Sequence, residues 1–194
     1  MSLPNLLTVS RIGLAFGFML ALFAHTFAGT LWALGLFGLA ALTDLLDGWL
    51  ARRWHQESAF GILMDPIADK ILVLAALLSF VELALVPAWM VVLIVSREFL
   101  ITGLRLVAVR QGQVLAAERG GKHKTVSQMV AIVVALGYLV ARDVAQAHAA
   151  PAIVEAITTW GSRGVWGLML VTVALTLTSG VSFLWKHRDL FGPR

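Results

Sequence analysis

The chain has 194 residues, of which 59% are hydrophobic and 13% charged, with no cysteine and a formal net charge of +4. A mean hydropathy of +0.87 excludes an ordinary water-soluble domain, in which about a quarter of the residues are charged. Without cysteine there are no disulfides and no thiolate metal sites. In so apolar a chain the surplus of Lys and Arg reads as membrane topology and contact with anionic head groups, not as nucleic-acid binding.

Several apolar runs approach the roughly 20 helical residues needed to cross a hydrocarbon core. The expected fold is therefore an all-α integral membrane protein, one domain over residues 1–194, with six transmembrane helices. Leu3–Val9, with Pro4 near its start and mixed polarity, is expected to lie along the interface as a short amphipathic helix. The spans follow at Ile12–Ala28, Leu31–Arg53, Gly61–Val81, Ala88–Val109, Thr125–Ala141 and Val165–Lys186. The first run lacks a cleavage-site pattern and is expected to be retained.

Gly29 and Thr30 are expected to connect the first two spans, and Val86 and Pro87 the third and fourth. The longest connection, Arg142 to Arg163, holds Pro151 and a short amphipathic helix expected over Ala152–Trp160. Trp32, Trp49, Trp54, Trp89, Trp160, Trp166 and Trp185 fall mostly near span ends, as interfacial anchors do. Arg52, Arg53, Arg110, Arg119, Lys122, Lys124, Lys186, Arg188 and Arg194 gather at one set of loop ends, whereas the other set carries only Arg142 and Arg163. That asymmetry is expected to place both termini, and the acidic cluster described next, on the cytoplasmic side.

The acidic cluster is Asp44, Asp47, Asp65 and Asp69, in the pattern D-x2-D-G-x2-A-R-x8-G-x3-D-x3-D. Carboxylates in apolar helices are expensive, and four together call for a functional reason. On helices, Asp44, Gly48 and Arg52 form one i, i+4, i+8 row, and Gly61, Asp65 and Asp69 form another. The short link between them lets the rows face each other, and unpaired carboxylates would there repel one another and resist ionisation. Two divalent cations balance four carboxylates, and oxygen ligands without His or Cys suit Mg²⁺ or Mn²⁺. Gly48 and Ala51 leave room for a ligand, Arg52 offers a planar fork to phosphate, and Ser58 a hydroxyl. An ion or proton transporter is the competing class of function, but it calls for carboxylates spread through the membrane depth.

The Asp44–Asp69 segment resembles the signature of the CDP-alcohol phosphotransferases and matches it at every defined position. The resemblance implies a six-helix membrane enzyme, usually a homodimer, that uses a divalent-metal pair to displace CMP from a CDP-linked donor. It implies Asp44, Asp47, Asp65 and Asp69 as metal ligands, with Asp69 also the general base. It further implies Asp44, Gly48, Ala51, Arg52 and Ser58 at the CDP part of the donor, together with Asn5 and Thr8 of PNLLT.

SREFLITGLRLVA (Ser96–Ala108), GKHKTVSQ (Gly121–Gln128), PNLLTVSR and KHRDLF are similar to segments of the bacterial phosphatidylglycerophosphate synthases, a branch of that family. That likeness implies CDP-diacylglycerol as donor, sn-glycerol 3-phosphate as acceptor and a place in the bacterial cytoplasmic (inner) membrane. Phosphatidylglycerol, inositol phosphate or serine are the alternative acceptors. An anionic acceptor brought close to four carboxylates needs a cationic seat, for which Arg97, Arg105, Lys122, Lys124 and Arg188 are the candidates.

Overall fold

A computed structural model of the chain describes residues 3–54, 59–110 and 119–188, with side chains described at 10–43, 70–109 and 123–188. Six α-helices account for the regular structure among the described residues: α1 (Leu3–Phe23), α2 (Phe27–Trp54), α3 (Ala59–Glu82), α4 (Ala88–Arg110), α5 (Arg119–His148) and α6 (Pro151–Lys186). Their contacts close a ring. Helix α1 packs on α2, α2 on α5, α5 on α6, α6 on α4, α4 on α3, and α3 back on α1, while α3 also meets α2 and α5 across the middle.

Helical periodicity selects the inward faces. On α1 the buried positions are Arg11, Ala15, Phe18 and Leu22, and on α2 they include Ala33, Phe37 and Ala40. The Phe18 and Phe37 rings meet with centroids 5.9 Å apart, a tilted aromatic contact that fixes this pair of helices. Small residues let neighbouring backbones approach, as Ala75 and Ala76 do on α3 and Ala131 and Ala135 on α5. At the end of the ring that carries the start of α2, the Thr30 hydroxyl donates to Asp143 Oδ2 at 2.7 Å. Arg142 pairs with the same carboxylate through Oδ1 at 3.1 Å.

The outward faces are apolar as well. Phe16, Leu20, Phe99, Leu106, Val126 and Val181 are each about 60% exposed or more, far beyond the scattered apolar surface of a soluble monomer. Among the described residues, His123–His148 and Pro151–Lys186 are long and apolar enough to cross a membrane, and Ser10–Phe23 and Phe27–Thr43 are shorter apolar stretches. Helix α4 carries Arg97, Glu98 and Arg105 within its apolar sequence.

Four expectations need correction. Leu3–Val9 is not a separate interfacial helix but the first turns of α1, because nothing after Pro4 breaks the helical run. The α1–α2 connection lies at Ala24–Thr26, and Gly29 and Thr30 belong to α2. The Thr26 hydroxyl accepts the Gly29 N–H at 3.0 Å and so starts the helix early. A Cβ at Gly29 would strike the Ala21 carbonyl oxygen, so the tight approach of the two helices requires glycine there. The long loop from Arg142 to Arg163 does not exist, since α5 continues to His148 and α6 starts at Pro151. The alanine-rich stretch is a good helix former, and Pro151 fits the first helical turn after extended Ala150. The proposed helix Ala152–Trp160 is therefore the start of α6.

Helix α3 ends in a left-handed cap. Ala84 has φ 53°, its N–H bonds the Val81 carbonyl, and the Leu85 N–H bonds the Phe80 carbonyl, both at 2.9 Å.

Candidate active site

The up-and-down order of the ring decides which segments share an end. The start of α1, the end of α2, the start of α3, the end of α4, the start of α5 and the end of α6 all lie together. This one end gathers Asn5 and Thr8 on α1; Asp44, Asp47, Gly48, Ala51 and Arg52 on α2; and Asp65 and Asp69 on α3. Lys122 and Lys124 on α5 join them, with Arg105 on the second half of α4 and Arg97 near the middle of that helix. The side chains of Asn5, Thr8, Asp44, Asp47, Gly48, Ala51, Arg52, Asp65, Asp69 and Lys122 lie outside the described set, and Ser58 lies outside the described residues altogether.

The described part of the site is a charge cluster between α4, α5 and α6. Glu98 accepts from Lys124 of α5 in a close ion pair and stands 3.4 Å from the Arg97 guanidinium. Side-chain exposures are 6% for Lys124, 11% for Arg97 and 22% for Glu98. These are charges largely withdrawn from water, where the loss of a partner is costly. Arg97 also donates from Nη2 to the Ser179 hydroxyl of α6 at 2.9 Å. Toward the end of the bundle, the Arg105 guanidinium lies 5.5 Å from the centre of the Phe183 ring, a cation–π contact on the same pair of helices.

A cavity of about 190 Å³ opens between α3, α4 and α5. Leu77 and Ile94 line its apolar part, and Lys70, Glu98, Lys124 and Gln128 supply its polar groups. Lys70 directly follows Asp69, so the cavity begins one residue from the carboxylate row of α3. Gln128 is 5% exposed, and its amide nitrogen has no hydrogen-bond partner in the structure. A buried donor of that kind is costly and needs a reason.

Of the expected cationic seat, the structure brings Arg97 and Lys124 together through Glu98 and sets Arg105 further out. Arg188 is placed differently: it lies over the Trp185 ring at 5.5 Å, and that ring is 71% exposed. Arg11 was no part of the expected site, yet it is buried to 3% on α1, three residues after Thr8. Its signal was the end of the PNLLTVSR segment. Ser179, Gly180 and Phe183 were also missed. Their signal was a column of small and polar residues, Thr172, Thr176, Ser179 and Gly180, at helical spacing on the buried face of an apolar helix.

Comparison with known proteins agrees with the aspartate signature. Residues 1–177 match the CDP-alcohol phosphatidyltransferase family model. The chain is 43% identical over 144 residues to the CDP-diacylglycerol–glycerol-3-phosphate 3-phosphatidyltransferase of Bacillus subtilis, covering 68% of this chain and 74% of the relative. It is 36% identical over 197 residues to a probable phosphatidylglycerophosphate synthase of Mycobacterium tuberculosis, covering 100% of this chain and 85% of the relative. A Pseudomonas fluorescens protein named CDP-diacylglycerol–glycerol-3-phosphate 3-phosphatidyltransferase is 32% identical over 206 residues, covering 100% and 95%. The chain belongs to the CDP-alcohol phosphatidyltransferase family and is a transferase.

Proposed function

We propose that the protein transfers the phosphatidyl group of CDP-diacylglycerol to sn-glycerol 3-phosphate, giving phosphatidylglycerol phosphate and CMP. The observation that carries the choice of acceptor is the Arg97–Glu98–Lys124 cluster, whose Glu98 and Lys124 line one cavity with Lys70, the residue after Asp69. A small phosphate dianion, glycerol 3-phosphate or inositol phosphate, needs such a seat, and serine does not. The names of the relatives from Bacillus subtilis and Pseudomonas fluorescens support the same donor and acceptor.

In this reading Asp69 takes the proton of the acceptor's attacking hydroxyl. The freed oxygen forms a new bond to the phosphatidyl phosphorus, the pyrophosphate bond to CMP breaks, and CMP leaves with the electron pair. Asn5, Thr8, Gly48, Ala51, Arg52 and Ser58, with Asp44, hold the CDP part of the donor. Arg97, Arg105, Lys122, Lys124 and Arg188 attract and orient the acceptor phosphate. The all-oxygen donor set of Asp44, Asp47, Asp65 and Asp69, from two helices that meet at one end, fits two hard divalent cations, Mg²⁺ or Mn²⁺. When bound, such cations neutralise charge on the donor's pyrophosphate and so stabilise the departing CMP.

The same reading makes the ring a membrane domain in the bacterial cytoplasmic membrane, with termini and active site on the cytoplasmic side, and a homodimer. The apolar outer face and the length of α6 support its membrane part. Trp160 and Trp185 are 70% and 71% exposed, and an Arg stacks on each ring. At 1.5 Å per residue they stand about 38 Å apart, close to the full thickness of a bilayer with its head groups.

The test supplies detergent-purified protein with CDP-diacylglycerol, Mg²⁺ and one acceptor at a time, and measures CMP. Release with glycerol 3-phosphate and not with serine, inositol phosphate or phosphatidylglycerol is expected. Release with one of those and not with glycerol 3-phosphate would reject the assignment.

A further inference from the structure

We infer that the Ser179–Gly180 step of α6 is a positioning element for the acceptor, acting through Arg97; this rests on the acceptor reading above. Arg97 belongs to α4, but its side chain runs across to α6. At Gly180 a Cβ would stand 3.0 Å from Arg97 Cγ, 3.5 Å from Nε and 3.9 Å from Cδ. All three nearest atoms belong to that one arginine, so the missing side chain at 180 is room for the Arg97 stem. The other glycines of α6 differ: Gly164 and Gly167 face open space, and Gly161 packs against the Tyr138 ring.

Ser179, one residue earlier and 8% exposed, accepts the Arg97 Nη2 hydrogen bond at 2.9 Å. Thr178 of the same helix bonds that helix's own backbone carbonyls instead. Two consecutive residues thus do separate jobs: Gly180 lets the stem pass, and Ser179 holds the head. Glu98 meets the fork from the α4 side at 3.4 Å, so the plane of the guanidinium is fixed between two helices. Direction matters because a guanidinium binds phosphate through parallel donors in a rigid plane, unlike the point charge of lysine. Substitutions at 179 and 180 therefore act on acceptor affinity without touching the acceptor.

The test uses the full chain purified in detergent, with CMP release measured as glycerol 3-phosphate and then CDP-diacylglycerol is varied. Gly180→Ala and Ser179→Ala are each expected to raise the acceptor KM about tenfold, the worth of one charge-assisted hydrogen bond, with donor KM unchanged. Ser179→Thr, which keeps the hydroxyl, is expected to stay within about twofold of the parent, on the scale of a hydrogen bond retained. In an Arg97→Ala background, Gly180→Ala is expected to add nothing, because the group it displaces is gone. Equal increases in both KM values, or a Gly180→Ala effect that persists in the Arg97→Ala background, would overturn the inference. If Arg97→Ala itself leaves the acceptor KM unchanged, the acceptor seat is misplaced and this inference falls with it. If Arg97→Ala raises that KM while Ser179→Ala and Gly180→Ala do not, the seat stands and only the positioning role is lost. Should Gly180→Ala fail to fold, the Ser179 pair decides by the same readouts.

Discussion

Glu98 is shared by two cations, and replacing it with glutamine exposes how they are held. With Lys124 at 6% and Arg97 at 11% side-chain exposure, both lose a carboxylate that water does not easily replace. Breaking a buried ion pair by removing one partner costs about 3–5 kcal/mol. Glu98 itself is 22% exposed, which sets the expectation at the lower end, about 3 kcal/mol. For a chain of this size that corresponds to a melting temperature lower by about 6–12 °C. The assay is thermal unfolding of the detergent-purified protein, followed by tryptophan fluorescence, with and without glycerol 3-phosphate. The acceptor phosphate is expected to restore more stability to Glu98→Gln than it adds to the parent, because it supplies the missing negative charge to the same two cations. A melting temperature equal to the parent's, or an equal gain from glycerol 3-phosphate in both proteins, would refute the reasoning.

Asp69→Asn is expected to lower kcat at least a hundredfold, the usual worth of a general base, far more than it weakens CDP-diacylglycerol binding measured by calorimetry. Chelation with EDTA is expected to abolish CMP release, and added Mg²⁺ or Mn²⁺ to restore it, whereas Ca²⁺, larger and less strict in geometry, restores little. Ala84→Gly removes the strain of a left-handed alanine at the end of α3 and is expected to raise stability by up to about 1 kcal/mol, read as a higher melting temperature with unchanged activity. Arg188→Ala is expected to raise the acceptor KM less than Arg97→Ala, since Arg188 rests on an exposed ring and Arg97 is held inside the ring of helices.

Much of the fold was legible because apolar runs and punctuation mark helices directly. The expected span Ala88–Val109 and the observed α4, Ala88–Arg110, differ by one residue, since Pro87 fixes its start. The errors fell where local signals compete. Gly29 looked like a turn, but it is a close-packing position just inside α2, and the turn is made by Thr26. The Ala145–Ala150 stretch looked like loop because hydropathy drops there, yet helix propensity carries α5 through most of it.

For the site, carboxylate spacing on two helices was readable because both rows are local. The Arg97 contacts were not, since Ser179 and Gly180 are 82 and 83 residues away and only the ring topology brings α4 onto α6. Buried Arg11 escaped for a similar reason: its face on α1 is defined by what packs on it, not by its neighbours in sequence.

The most direct measurement is the mass of the lipid formed from CDP-diacylglycerol and ¹³C-labelled sn-glycerol 3-phosphate by the purified protein with Mg²⁺. A lipid carrying the labelled glycerol and both phosphates, formed in step with CMP, is the predicted result. CMP accompanied by unlabelled phosphatidic acid, or no labelled lipid in the presence of both substrates, would contradict the account.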